Sequence, residues 1–561
     1  MFFILFIILM LQVIAAFCFC TKKTGFHYDE YYSYYSSNVT YGLVPSDREW
    51  KPQAEIVSEF EVAPEERFNF ATVVRMQSYD VHPPFYYILL HTVCSLTPGL
   101  FTKWSALILN MVLFVGSWIL LAALTNRLAT AVLSAMSGIN ADKTGEEEQK
   151  TAKAATIIVC LLYGFNPAVL SGVMMARMYI LLGFLVMAVT LLHVIALINR
   201  RRCWKFYVLT MLCVYLGFLT HYYYAVYMFF LAAAMEFFLL FETAEGKSWG
   251  AKWKDCFVYG FAVVGAMVLA VLSYPSCLGH IFRGYRGTEA MGEFFNAGNT
   301  IGRIRFFVGL LNEYVFGDML PFVMLVIVLL VLTIWTSGRM TKKSSDTKKR
   351  MTEKTVHRAE RYHVLWITAV AVAGYFLVVT KTALLNAEEA NRYPLPVYGM
   401  ILMFSVLIAV MLLEKCFPKL SGKWKTAAAG AVFFVVLAGE INGVFNGKVL
   451  FLYEEDAPVI AFAQENHDVP VIHLYNGNLM WMIWDESLEL MQYDEIYFVN
   501  KSDLSPIEDE NLAEAERALV YVMRGEDQGA ALEIARCAVG EDAQVNILRE
   551  LLYCDLYEIK K

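Results

Sequence analysis

Up to Phe445 the chain is a succession of long apolar runs separated by short polar turns, and beyond it the pattern changes to short buried segments of alternating type. Runs near the ~20 residues needed to cross a bilayer occupy Met1 to Cys20, Lys103 to Leu124, Ala154 to Met175, Met178 to Ile198, Phe206 to Thr220 and Tyr223 to Phe241. They continue at Cys256 to Tyr274, Met319 to Trp335, His363 to Thr380, Pro394 to Leu413 and Thr426 to Phe445. That pattern predicts about eleven spans. Phe85 to Leu96 is apolar but too short to cross, and reads as a re-entrant or surface-lying helix.

The distribution of basic residues tests that reading. Arg339, Lys342, Lys343, Lys348, Lys349, Arg350, Lys354, Arg358 and Arg361 form the most basic loop. Arg200 to Arg202 with Lys205, the Lys247, Lys252 and Lys254 turn, and the Lys415, Lys419, Lys423 and Lys425 turn follow. All four fall on the cytoplasmic side only if Phe85 to Leu96 does not span. With a cytoplasmic N-terminus, the loop 21–102, the Arg177, His221, Arg283 and Arg392 turns and the C-terminal region then share the outer face. Lys22 and Lys23 oppose this orientation and are outweighed by the later loops. If Met1 to Cys20 is instead a cleaved signal peptide, the following loop is outside all the same.

After Phe445, Val471 to Tyr475, Glu495 to Val499 and Leu519 to Met523 read as strands. Pro458 to Asn466, Asn511 to Arg517 and Gln528 to Ala538 read as helices between them. The expected organisation is a membrane domain, 1–445, and a soluble extracytoplasmic α/β domain, 446–561. No glycine-rich phosphate loop follows these strands, so a nucleotide site is not supported there. Asn140 to Lys153, with Glu146, Glu147 and Glu148, reads as a cytoplasmic insert with a solvated charged face.

Composition agrees: 58% of residues are hydrophobic and 18% charged, and the mean hydropathy of +0.48 is that of an all-α, polytopic membrane protein. The formal charge of -7 gives no footprint for nucleic acid. The 11 cysteines lack metal-ligand spacing and read as packing residues. Cys537 and Cys554 read as free thiols, a disulfide being the alternative for an extracytoplasmic domain.

The candidate chemistry lies in the outer turns. Asp29 and Glu30 follow the first run, and Asp80, His82, Pro83 and Pro84 close the same loop. Arg177 with Tyr179, the Thr220 to Tyr224 turn with His221, and Arg392 with Tyr393 occupy the later turns. Arg177 and Arg392 suit a phosphate, an ion pair of Arg392 with Glu388 or Glu389 being the alternative. The stretch Ser276 to Arg305, with His280, Arg283, Arg286, Glu289 and Arg303, reads as a lid or a solvated loop. Asp29 and Glu30 alone are too few ligands for a metal cage, so no metal or other cofactor is expected.

The Asp-Glu pair after the first span, the His-Pro-Pro-Phe-Tyr-Tyr run from His82, Ala-Arg-Met-Tyr at Ala176 to Tyr179 and Asn-Arg-Tyr-Pro-Leu-Pro at Asn391 to Pro396 resemble the GT-C glycosyltransferases. The nearest branch holds the protein O-mannosyltransferases and lipid A aminoarabinose transferases. The resemblance covers the order of elements across nearly the whole membrane part. It implies a polyprenyl-phosphate-linked sugar donor, transfer on the extracytoplasmic face of the plasma membrane, inversion at the anomeric carbon, and acid-base work by the first carboxylate, here Asp29. Glu30 then orients the loop or contacts the acceptor, which the sequence leaves open among protein, glycan and glycolipid. A transporter or flippase of a lipid-linked solute is the rival reading; it calls for polar groups near the midplane and a path through the bundle.

Overall fold

The computed structural model describes residues 1–40, 42–136, 141–241, 248–336 and 353–561. Lys247 and the basic residues from Arg339 to Arg350 lie outside the described residues, as does Asn140. Among the described residues, 8 helices are long and apolar enough to cross a membrane, or up to 10 if each of two bent pairs is one span. Phe229, Phe261 and Leu272 stand exposed on the bundle surface, where lipid replaces a protein neighbour. The chain is a multi-pass membrane protein.

The upper count of 10 is one fewer than the expected eleven, and the difference is a single short run. Phe206 to Thr220 lies in the 15-residue helix Trp204–Phe218, about 22 Å long and short of the ~30 Å apolar core. It still joins opposite ends of the bundle, because Arg202 before it pairs with Asp255 at 3.5 Å while His221 after it lines the cavity described below. Helix Phe85–Cys94, with 10 residues, makes no such crossing; its Phe85 N–H donates to Leu219 O at 2.8 Å, and Ser95 behind it meets Arg67.

Two bends have local causes. Ala141–Phe165 is succeeded by Pro167–Met174, and the described part of that pair is bent by 50°. The side chain of Asn166 caps the second helix by accepting from the N–H groups of Ala168 and Val169, with Pro167 at its first position. The second bend, 97°, precedes Leu320–Thr336. Gly317 and Asp318 take positive φ there, and a Cβ on Gly317 would stand 2.3 Å from the Gly439 backbone. At the basic end, Glu148 accepts from Ser134 at 2.9 Å and Glu147 accepts from the Gly422 N–H. Glu146 keeps to the expected exposed face, paired with Lys150 at 2.6 Å, while the other two glutamates reach across to other elements.

The C-terminal segment forms a sheet ordered β1-β3-β2-β4-β6-β5, where β1 is Glu49–Pro52, β2 Val471–Tyr475, β3 Glu495–Asn500, β4 Arg517–Met523, β5 Gln544–Glu550 and β6 Cys554–Lys560. The central strands β3, β2 and β4 run parallel, and β2 is buried along its whole length, as a strand covered on both faces must be. The edge strands pair antiparallel. Arg517, expected to end a helix, instead opens β4. Strand β1 comes from the first loop, with Trp50 opposite Tyr497, so that loop and the C-terminal segment share one sheet. One sheet face packs on Gln528–Val539 through Ile472, Val520 and Ala535. The other continues through Tyr493, Tyr31 and Tyr34 into the core of the bundle. Cys537 is exposed and Cys554 buried, both as free thiols.

Candidate active site

Helix Tyr28–Asn38 carries Asp29 and begins with a capping box. His27 Nδ1 accepts from the Asp29 N–H at 3.1 Å, and Glu30 Oε2 accepts from the His27 N–H at 2.8 Å. With Nδ1 acting as acceptor, the ring carries its proton on Nε2, which lies 3.2 Å from Glu389 Oε2. His27 thus fixes the first helical turn and ties it to the Ala387–Arg392 turn. This residue was not foreseen, although a polar residue three positions before Glu30 is a helix-start signal.

Of the two roles expected of Glu30, its contacts fit orienting the loop. It is fully buried, pairs with Lys23 at 2.9 Å, and accepts from the Ala176 N–H at 2.7 Å through its other oxygen. Successive helical residues differ by about 100° in direction, and here only Asp29 turns to the cavity. Lys23, which opposed the orientation in the charge count, is spent in this pair and on Phe451 O at 2.7 Å. Burial lowers its ammonium against the opposing pull of Glu30. The loop is packed so closely that a Cβ on Gly25 would stand 1.7 Å from Asp456 Oδ2.

The structure gathers Asp29, Asp80, His82, Arg177, Tyr179, His221, Arg392 and Tyr393 around one cavity of about 820 Å³. Asp29 Oδ2 stands 3.2 Å from Arg392 Nη1. Asp29, rather than the expected Glu388 or Glu389, is therefore the ion-pair partner of Arg392. Burial alone would raise the Asp29 carboxyl, but Arg177 and then Arg392 hold it well below the usual carboxylate range.

The two arginines, equal in sequence, differ in place. Arg177 Nη1 donates to Asp29 O at 3.1 Å and Tyr87 OH at 3.0 Å and reaches Ser33 Oγ at 3.3 Å. Its Nη2 lies 3.3 Å from both ring nitrogens of His82. Arg177 is committed to the first loop. Arg392 is stacked between the Tyr179 and Tyr393 rings, at 5.9 and 5.2 Å. Among the described residues its guanidinium makes one hydrogen bond, a long one of 3.4 Å to Tyr393 OH, and buried Nε and Nη1 have no hydrogen-bond partner there. The contact of Nη1 with Asp29 is thus an ion pair without hydrogen-bond alignment.

His82 meets Asp80 Oδ2 at 3.1 Å. Burial and then Arg177 lower its imidazole below the ordinary value, which favours the neutral ring. His221 accepts from the Tyr223 N–H at 3.0 Å and is lowered further, by burial first. The expected lid, Ser276 to Arg305, is a set of short helices, Ser276–Phe282, Tyr285–Phe295 and Thr300–Leu310. Arg286, Glu289, Met291, Phe294 and Phe295 from it face the cavity, while His280 bonds to Tyr222 OH and Ser78 O. Arg303 leaves the site and donates to Thr380 O at 3.1 Å. Trp481 and Tyr553, from the sheet region, also line the cavity. Among the described residues no group of three or more His, Cys, Asp or Glu could hold a metal ion.

No protein-family model matches the chain, and no curated protein does. Solved structures similar to it include ArnT from Cupriavidus metallidurans in the apo state, at 12% identity over 94% of this chain and 95% of that chain, with a TM-score of 0.38. The archaeal oligosaccharyltransferase AglB from Archaeoglobus fulgidus, in complex with an inhibitory peptide and a dolichol-phosphate, is similar at 12% identity over 95% of this chain and 71% of that one, TM-score 0.41. The Archaeoglobus fulgidus oligosaccharyltransferase in the apo form is similar at 12% identity over 96% and 69%, TM-score 0.43.

Proposed function

We propose that the chain is a GT-C type glycosyltransferase that moves a sugar from a polyprenyl-phosphate donor to an acceptor hydroxyl at the extracytoplasmic face of the membrane. The observation that carries this reading is Arg392, a buried guanidinium with open donors beside the carboxylate of Asp29, in a cavity with a largely apolar wall. A buried donor without a partner costs ~1–3 kcal/mol, and a phosphate oxygen would satisfy it.

The donor phosphate binds at Arg392 and Tyr393, and the prenyl chain leaves along Val226, Val378, Leu384, Met291, Phe294 and Phe295, all in the cavity wall. Arg177 takes no phosphate; it holds Asp29, Ser33 and His82 in place. The acceptor hydroxyl gives its proton to Asp29 as its oxygen attacks the anomeric carbon. The glycosidic bond to phosphate breaks on the opposite side, which inverts the centre, and the phosphate departs toward Arg392. In the free protein Arg392 makes Asp29 a weak base. Phosphate bound at Arg392 counters that field and raises the proton affinity of Asp29, so the base becomes competent when the donor is present. The polar groups of the cavity come from the turns at one end of the bundle, which suits transfer better than passage.

Incubation of the purified protein with a panel of polyprenyl-phosphate sugars tests the reading. Release of polyprenyl phosphate with sugar appearing on an acceptor supports it. Movement of intact donor across vesicles without cleavage would replace it with the transport reading.

A further inference from the structure

The sheet domain reaches the cavity at two aromatic residues, and they meet a third from the first loop. Trp481 sits in the turn Met480–Glu486 and Tyr553 in the connection between β5 and β6. The Trp481 ring lies 5.6 Å from that of Tyr553 at 75° and 6.2 Å from that of Tyr28 at 54°. Trp481, Tyr553 and Tyr28 are all part-exposed in the cavity wall. The Trp481 indole N–H and the Tyr28 and Tyr553 hydroxyls are committed to no protein partner among the described residues. Behind them the wall is fixed: Trp484 is buried, donates to Leu43 O at 3.1 Å and packs edge-on to Tyr32 at 4.4 Å. Tyr28 also adjoins Asp29 in sequence, so the platform begins beside the reacting carboxylate.

Resting on the proposed function, we propose that Trp481, Tyr553 and Tyr28 form an acceptor subsite for an uncharged saccharide ring, and that presenting it is a role of the sheet domain. Inclined aromatic faces with polar rims match a ring whose faces are C–H and whose edge is hydroxyl. A peptide acceptor binding by strand addition has no place here: the open sheet edges are β1 and β5, and the cavity receives a helical turn and a strand connection instead. The prenyl-like apolar wall is built by other elements, Tyr223–Phe241, Glu353–Thr382 and Tyr285–Phe295. Carboxylates also flank the platform. Glu389 stands at His27, and Asp485 and Glu389 both act on the Tyr553 hydroxyl. A negatively charged acceptor would be repelled there.

The full chain in detergent is titrated calorimetrically with neutral disaccharides and oligosaccharides of glucose, mannose and N-acetylglucosamine, and with a serine- and threonine-containing peptide. At least one saccharide binds, Trp481→Ala and Tyr553→Ala each weaken it roughly 5- to 10-fold, and Trp481→Phe, which keeps a ring face, retains most of the affinity. Leu552→Ala, exposed next to Tyr553, serves as the neighbouring control and leaves binding unchanged. Thermal melts identify a variant that fails to fold, in which case Trp481→Phe and Tyr553→Phe, compared with Tyr553→Leu, decide. Equal binding by the ring-deleted variants, or binding and glycosylation of the peptide with every saccharide inert, overturns the subsite. Saccharide binding that depends on Trp481 in a protein that never releases polyprenyl phosphate from any donor keeps the subsite and removes the transferase reading.

Discussion

Asp29→Asn separates chemistry from architecture because the side chain serves both. The substitution keeps size and removes the charge that faces Arg392 Nη1 at 3.2 Å. Breaking a fully buried ion pair costs ~3–5 kcal/mol. Asp29 is 20% exposed to the cavity against 3% for Arg392, so water entering the site reduces that loss to about 1–2 kcal/mol. Loss of a general base slows transfer by ~10²- to 10⁴-fold, or about 3–5 kcal/mol of barrier. The two effects move different observables. Thermal unfolding in detergent should fall modestly, while single-turnover transfer at saturating donor falls by at least ~10²-fold. Donor affinity should hold or tighten, since Asp29 competes with phosphate for the same guanidinium. Wild-type turnover would remove Asp29 as the base. Donor affinity lost in proportion to turnover would mean that the carboxylate only shapes the pocket.

Arg392→Lys retains a charge and loses the planar set of donors; apparent donor affinity should drop about 10- to 100-fold by titration, and an unchanged value with normal expression would restrict Arg392 to its ion pair with Asp29. Glu30→Gln should lower the melting temperature more than Asp29→Asn does, because the fully buried Lys23 then loses its ion-pair partner; a melt like wild type with slow transfer would return Glu30 to the chemistry. Glu489, beside Tyr521 in the seam under the sheet, is pushed up to about 8 by burial. Its folded value is raised, so its stabilisation is present below the ordinary value of 4.5 and is lost as pH rises through about 8. Glu489→Gln should therefore gain stability over wild type as pH increases from 5 to 8, read by melts across about that range, and a pH-independent difference would refute the assignment. For orientation, the exposed native Cys537 and Cys203 should react with a membrane-impermeant maleimide in intact cells and only in opened cells, respectively; the reverse order would place the cavity on the cytoplasmic side.

The helices were legible because a bilayer imposes length and apolarity on each run separately. The exception, Trp204–Phe218, is the run where length failed. The central strands β2, β3 and β4 were legible as short buried runs, whereas β1 contains Glu49, Lys51 and Pro52 and is a strand only because β3 offers it an edge. Strand β5 escaped in the same way, with five of its seven residues exposed. Asp29, His82, Arg177 and Arg392 were legible as polar residues in the turns of an apolar chain, where burial of a charge demands a reason. Their division of labour was not.

That division follows from how many partners each group meets. Arg177 follows the break at Asn166 and enters the first loop, where a carbonyl, a hydroxyl, a phenol and an imidazole surround it. Arg392 ends the turn Ala387–Arg392 between two tyrosine rings, which contact its face and leave its edge unsatisfied. Aromatic faces stabilise a cation without occupying its N–H groups, so the charge can be kept buried while its donors remain open. Glu30 and Asp29 show the same contrast: the first has both oxygens filled, the second has one oxygen near one guanidinium and a face on the cavity. Sequence alone makes each pair look equivalent, because both carboxylates open one helix and both arginines stand in turns between apolar runs. Partner saturation distinguishes them, and it depends on contacts from residues more than a hundred positions away, such as the Ala176 N–H on Glu30 and the Asp29 carbonyl on Arg177. The less saturated member of each pair, Arg392 and Asp29, is the one that faces the other at the cavity, although Arg177 also keeps one open donor, its Nε.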